Sequence, residues 1–131
     1  MINLKVTDKV CVNYLKTLGI DIIDKAKSGH PGIVLGAANI MYTLYTKILK
    51  IDPRNPKWLN RDRFVMSCGH GSSLLYSSLF CVTKDYTIND LKRFRRLNSC
   101  TPGHLSSLLS CGRQILSRYL GEMNEYVVIS L

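Results

Sequence analysis

Acidic residues are the scarce charged class in this chain: nine Asp and Glu stand against eighteen Lys and Arg, a net charge of +9 at pH 7, and no acid lies between Asp90 and Glu122. Carboxylates so few and so spread offer no cluster of oxygen ligands of the kind magnesium demands. Long apolar runs are missing too. None reaches the roughly 18 residues that a membrane helix needs. The N-terminal segment, broken by Lys5, Asp8, Lys9, Lys16, Asp21, Asp24 and Lys25, holds no continuous apolar stretch of the signal-peptide kind. With no export signal, the cytoplasm is the expected location. Cys11, Cys68, Cys81, Cys100 and Cys111 are odd in number and never spaced C-x-x-C. That argues against a zinc site and a secreted disulfide framework and leaves buried or idle thiols. Neither a repeat nor a linker divides the 131 residues, which suffice for one domain, and a 46% apolar content makes disorder the poorer reading.

The basic excess has three readings: a nucleic-acid partner, phosphorylated small molecules as ligands, or acidic parts of a longer protein that are absent here. Its sharpest feature, Lys92-Arg93-Phe94-Arg95-Arg96, reads as a solvated helix face before it reads as a binding strip.

Val6, Val10, Tyr14, Leu18, Ile22 and Ala26 recur every fourth position, with Cys11, Leu15 and Ile23 beside them. This predicts an amphipathic helix with Thr7 as its cap, closed before Gly29. Gly29-His30-Pro31-Gly32 breaks the chain sharply. A second helix is expected with Val34, Ala37, Ala38, Met41, Leu44, Tyr45 and Ile48 on one face. Asp52-Pro53-Arg54-Asn55-Pro56 has loop chemistry. Arg63 to Ser67 reads as a short buried strand, Cys68-Gly69-His70-Gly71 as the turn after it, and Ser72 to Val82 as a helix. Thr87 with Asp90 forms a capping box opening a helix to about Leu97. Tyr126 to Leu131 is a strand or an apolar tail. The expected fold class is α/β, mostly helical with one or two parallel strands visible.

All three histidines sit in glycine-flanked loops: Gly29-His30-Pro31-Gly32, Gly69-His70-Gly71 and Gly103-His104. An imidazole at a tight turn keeps its nitrogens available to phosphate or hydroxyl oxygens. Singly, each reads as structural or idle; three in three such loops point to a site. His70 has the strongest local case, since it lies between a strand and a helix N-terminus, where α/β sheets bind ligands and where orphan N–H groups suit a diphosphate. The competing reading is that Gly69-His70-Gly71 only makes a tight connection.

Ala26-Lys27-Ser28-Gly29-His30-Pro31-Gly32, Asn55-Pro56-Lys57-Trp58, Asn60 to Gly71 with Leu74-Leu75-Tyr76, and Thr101-Pro102-Gly103-His104 resemble transketolase, in order and at family-like spacing from about Val10 to His104. The resemblance makes residues 1–104 the N-terminal part of a thiamine-diphosphate-binding domain and 105–131 a diverged or aberrant tail. It implies transfer of a two-carbon ketol unit from a ketose phosphate to an aldose phosphate, a step of the pentose phosphate pathway. The implied cofactors are thiamine diphosphate and Mg or Ca. His30 would lie near the thiazolium and the donor sugar, His70 would reach the diphosphate, and His104 would bond the hydroxyls of the ketol unit. These three would be the catalytic residues, His70 and Leu120 would contact the cofactor, and His30 and His104 the substrate. Deoxyxylulose-phosphate synthase fits the histidine motifs less well, and dihydroxyacetone synthase fits them equally.

After His104 the pattern departs. Leu105-Ser106 replaces the family's Pro-Glu, and Arg118 stands where a cofactor-facing glycine belongs, while Gly112, Leu120 and Gly121 still match. The family binds its metal through a Gly-Asp-Gly motif, and no Gly-Asp pair occurs here. Its activating glutamate lies in a later domain, and its site forms between two subunits. The expectation is a transketolase portion inactive without complementary chains. The alternatives are a degenerate, non-catalytic or partner-binding remnant that exposes apolar surface and, lower, a small basic nucleic-acid binder.

Overall fold

The computed structural model describes residues 6–83 and 85–104, together with the backbone of 127–129. Its elements are α1 (Val6–Ala26), α2 (Pro31–Thr43, running on as a π turn over Leu44–Ile48), β1 (Phe64–Met66), a 3-10 turn (Gly69–Gly71), α3 (Ser72–Val82), α4 (Ile88–Lys92) and β2 (Val127–Ile129). β1 and β2 pair in parallel, with Phe64 opposite Val127 and Met66 opposite Ile129. This is the mostly helical α/β arrangement with parallel strands that the sequence implies, and Val127–Ile129 is strand.

The buried face of α1 is not the one its spacing suggests. Asp8, Val12, Leu15, Gly19, Ile22 and Ile23 are buried, while Val6, Val10 and Tyr14 are 78%, 63% and 53% exposed. A strict four-residue spacing advances about 40° per step around a helix with 3.6 residues per turn, so it traces a slanted ridge rather than a face. The true face alternates steps of four and three. Thr7 is likewise inside the helix, not its cap. Gly19 is the close-contact point: a Cβ there would lie 2.7 Å from Val34 Cγ1, so α1 and α2 nearly touch backbone to side chain. Asp8 accepts hydrogen bonds from the Tyr42 hydroxyl at 2.7 Å and from Lys47 Nζ at 3.0 Å, tying the first turn of α1 to the end of α2.

The ridge that remains outside borders an apolar groove of about 390 Å³ lined by Val10, Cys11, Tyr14, Tyr42, Tyr45 and Cys81. Because Val10 and Tyr14 already face solvent, Val10→Lys and Tyr14→Lys are expected to change unfolding free energy by less than about 0.5 kcal/mol. The same changes should reduce self-association through this surface. Urea unfolding and sedimentation velocity together check both halves.

α3 is the central element, with every residue from Ser72 to Leu79 buried. Tyr76, fully buried, packs its ring against Tyr86 at 5.6 Å and Phe94 at 6.1 Å. The Thr87–Asp90 capping box is present in both directions, but α4 stops at Lys92, well before Leu97. The cause is tertiary: Phe94 turns into the core at 1% exposure, and Arg95 and Asn98 adopt left-handed backbone. The basic run therefore is not one helix face. Cys11, Cys68 and Cys81 are free thiols, two of them exposed rather than buried. Cys100 departs further from expectation, being disulfide-bonded; scatter along the sequence does not set separation in space. No helix among the described residues is long and apolar enough to cross a membrane.

Candidate functional site

Three loops converge beyond the carboxyl end of β1, and each carries one histidine. The α1–α2 turn is forced by Lys27 and Gly29, with φ of 55° and 154°. It leaves His30 at the N-cap of α2 with no side-chain cap bond and Pro31 in the first turn. Proline has no N–H to satisfy there, so the imidazole is not spent on the helix end. The β1–α3 connection puts His70 in the 3-10 turn. The rings of His30 and His70 meet edge to face, centroids 5.1 Å apart and planes inclined by 63°.

His104 arrives from the third loop. A Cβ built on Gly69 would stand 3.0 Å from His104 Nδ1, so this ring lies against the Gly69 backbone, one residue from His70. A Cβ at that spot would be tighter than ordinary packing, so the His104 ring would have to give by a few tenths of an ångström. Gly71 does a related job below, where a Cβ would meet Met66 Sδ at 3.1 Å and Ile33 Cγ1 at 3.2 Å. The structure thus brings His30, His70 and His104 together, all exposed to solvent. Leu120 lies outside the described residues.

The third loop hangs on buried side chains that sequence reasoning passed over. Ser72 Oγ donates to the Gly103 carbonyl at 2.6 Å and the Tyr76 hydroxyl to the Pro102 carbonyl at 3.0 Å. Thr101, fully buried, donates from Oγ1 to the Asp90 carbonyl at 2.8 Å. Burial and the neighbouring Tyr86 push the Tyr76 hydroxyl's pKa well above the ordinary tyrosine range, so it stays a donor. Arg95 bridges the same loop to the α1–α2 turn, donating from Nη1 to Ser28 Oγ at 2.7 Å. Nothing in local periodicity marks Ser72, Tyr76 or Arg95 as loop anchors; Tyr76 stands out only as part of the Leu74-Leu75-Tyr76 match.

The site suits an anionic, diphosphate-bearing ligand in part. The exposed imidazoles offer N–H donors, and the bare Gly69 backbone lets the His104 ring close in one residue from His70. Among the described residues no group of three or more His, Cys, Asp or Glu could hold a metal ion.

A strand that passes through a Gly-His-Gly turn into a helix N-terminus, flanked by imidazoles from two further loops, marks the ligand-binding end of an α/β cofactor domain. The chain belongs to the transketolase family: the family model for the transketolase thiamine diphosphate binding domain matches residues 7–122. It is 47% identical over 118 residues to the transketolase of Aquifex aeolicus, covering 90% of this chain and 17% of that protein. Against Bacillus subtilis transketolase it is 56% identical over 97 residues, covering 74% of this chain and 14% of the relative. The fold superimposes on Pichia stipitis transketolase in complex with sedoheptulose-7-phosphate with a TM-score of 0.74 at 42% identity, covering 80% of this chain and 15% of that one. The chain spans less than a fifth of the length of these relatives.

Proposed function

We propose that this chain supplies the histidine-lined part of a thiamine diphosphate site. Completed by the segments its relatives carry, that site transfers a two-carbon ketol unit from a ketose phosphate to an aldose phosphate. The observation that carries the reading is the meeting of His30, His70 and His104 around Gly69, in a chain whose family binds this cofactor. Within the reading, His70 reaches the diphosphate, and Leu120 adds an apolar contact. His30 attends the thiazolium and the donor sugar, and His104 holds the hydroxyls of the transferred unit. Imidazole at near-neutral pH can also accept and return the protons that sugar hydroxyls exchange during transfer. When bound, thiamine diphosphate supplies the nucleophilic carbon and the electron sink.

The Mg or Ca ion, the second subunit of a dimer and the activating glutamate belong to the complementary part in this reading. The 131 residues alone are accordingly expected to show no turnover. The basic excess serves sugar phosphates in the cytoplasm. A nucleic-acid role is less well supported, because Phe94 and Arg95 fold inward and interrupt the basic run.

Calorimetric titration of the chain with thiamine diphosphate and Mg is the test. Saturable binding is expected, weakened at least about tenfold in His70→Ala, the loss of a charge-assisted contact of about 1.5 kcal/mol. A folded sample that takes up no cofactor would defeat the cofactor role of this chain alone. It would leave the second reading, a non-catalytic chain that meets a partner through the exposed Val6, Val10 and Tyr14 ridge.

A further inference from the structure

Two of the three histidine loops are joined by one side chain that belongs to neither. Arg95 sits beyond the end of α4, its backbone held left-handed at φ 61° while its N–H bonds the Thr101 carbonyl at 2.9 Å. A non-glycine residue keeps such a conformation only where its surroundings over-determine it, and such residues gather at functional sites. From there the side chain runs flat along Gly103: a Cβ on that glycine would stand 2.8 Å from Arg95 Nε, 3.0 Å from Cγ and 3.2 Å from Cδ. The guanidinium ends on Ser28 Oγ at 2.7 Å, a contact between positions 67 apart in sequence. Its Nε is buried without a hydrogen-bond partner.

In the same conformation the guanidinium carbon lies 5.5 Å from the Phe94 ring centroid, so the side chain also covers that ring. Nε gives up hydration where the stem presses on Gly103 and the fork reaches Ser28. Gly103 immediately precedes His104, and Ser28 lies two residues before His30. Fixing both atoms at once fixes the distance between the two imidazole-bearing loops, with His70 between them. The planar, rigid fork of arginine suits this spacing in a way that a lysine's flexible chain does not.

We propose that Arg95 is a positioning residue that sets the separation of His30 and His104 across His70, touching neither cofactor nor substrate itself. This rests on the reading of the three histidines as a cofactor site. The test uses the intact 131-residue chain and nuclear Overhauser cross-peaks between side chains. The wild type should show a His30–His70 ring cross-peak and one from the His104 ring to the Gly69 α protons. Arg95→Met removes the fork, and Ser28→Ala removes only its acceptor. Each is expected to weaken the His30–His70 cross-peak at least twofold, and the double variant no further than either single one. The Tyr45–Phe64 contact, with centroids 5.7 Å apart in another part of the core, should keep its intensity.

An unchanged His30–His70 cross-peak in Ser28→Ala overturns the proposal, whether or not Arg95→Met folds. So does a parallel loss of the Tyr45–Phe64 contact, which would make the bond a general structural brace. Thiamine diphosphate titrations of the same samples keep the two readings apart. If the wild type binds, Arg95→Met should bind several-fold more weakly. If the wild type does not bind, the cofactor reading fails while the cross-peaks still decide the role of Arg95.

Discussion

Gly29→Ala should cost about 3 kcal/mol of unfolding free energy, one of the two largest losses expected in this chain and a disproportionate one for a single methyl group. Two effects add. The φ of 154° at Gly29 lies where side-chain-bearing residues are strained, a cost of about 1–3 kcal/mol. The new Cβ would also stand 2.6 Å from Ile23 Cγ1 and 3.0 Å from Cγ2. Ile23 is β-branched, buried and packed into the core cluster, so it has little freedom to rotate aside. Overpacking of that kind costs about 1–3 kcal/mol. The ordinary gain from replacing glycine, a less flexible unfolded chain, applies only where the native dihedrals suit the new residue. Urea unfolding with an unchanged m-value is the check. A loss under about 1 kcal/mol would mean that the α1–α2 turn yields easily and does not hold His30 in place.

Legibility in the sequence followed the range of the forces involved. The strand at Phe64–Met66, the Gly69–Gly71 turn, the whole of α3 and the Thr87–Asp90 cap are set by neighbours a few residues apart, and short-range reading finds them. The three histidines were legible for the same reason, since glycine flanks advertise a turn. That their turns share one end of the fold is a long-range fact, and it entered through the family resemblance rather than through periodicity. Where two local patterns compete, reading fails. Val6, Val10 and Tyr14 make a convincing ridge, yet the buried face runs through Val12, Leu15 and Gly19. Only contact with Val34 and α3 decides between them.

The basic run shows the same limit more sharply. Lys92 to Arg96 continues a well-capped helix by every local criterion, and the chain nevertheless leaves the helix at Lys92. Two interactions outside the helix outweigh the few tenths of a kcal/mol per residue that separate helix from turn here. Phe94 is drawn against Tyr76, and the Arg95 amide is drawn to the Thr101 carbonyl. Asn98 is the one local hint, since asparagine tolerates the left-handed backbone that it adopts at φ 57°.

Phe94→Ala tests that account with the other large expected effect, a loss of about 3–5 kcal/mol. Phe94 is 1% exposed, so truncation removes a buried ring and leaves a cavity that α3 and α4 cannot collapse into without moving Tyr76. The Tyr76 hydroxyl bonds the Pro102 carbonyl, which makes any such movement reach the loop of His104. Arg93→Ala and Arg96→Ala, one residue before and two after, are exposed and should each change stability by less than about 0.5 kcal/mol. Chemical unfolding of the three variants side by side gives the comparison. Equal small losses would restore the surface helix that periodicity suggests, and with it a continuous basic face. A large loss at Phe94 alone, with a weaker cross-peak between His104 and Gly69, would show that an aromatic buried inside the basic run supports the histidine site.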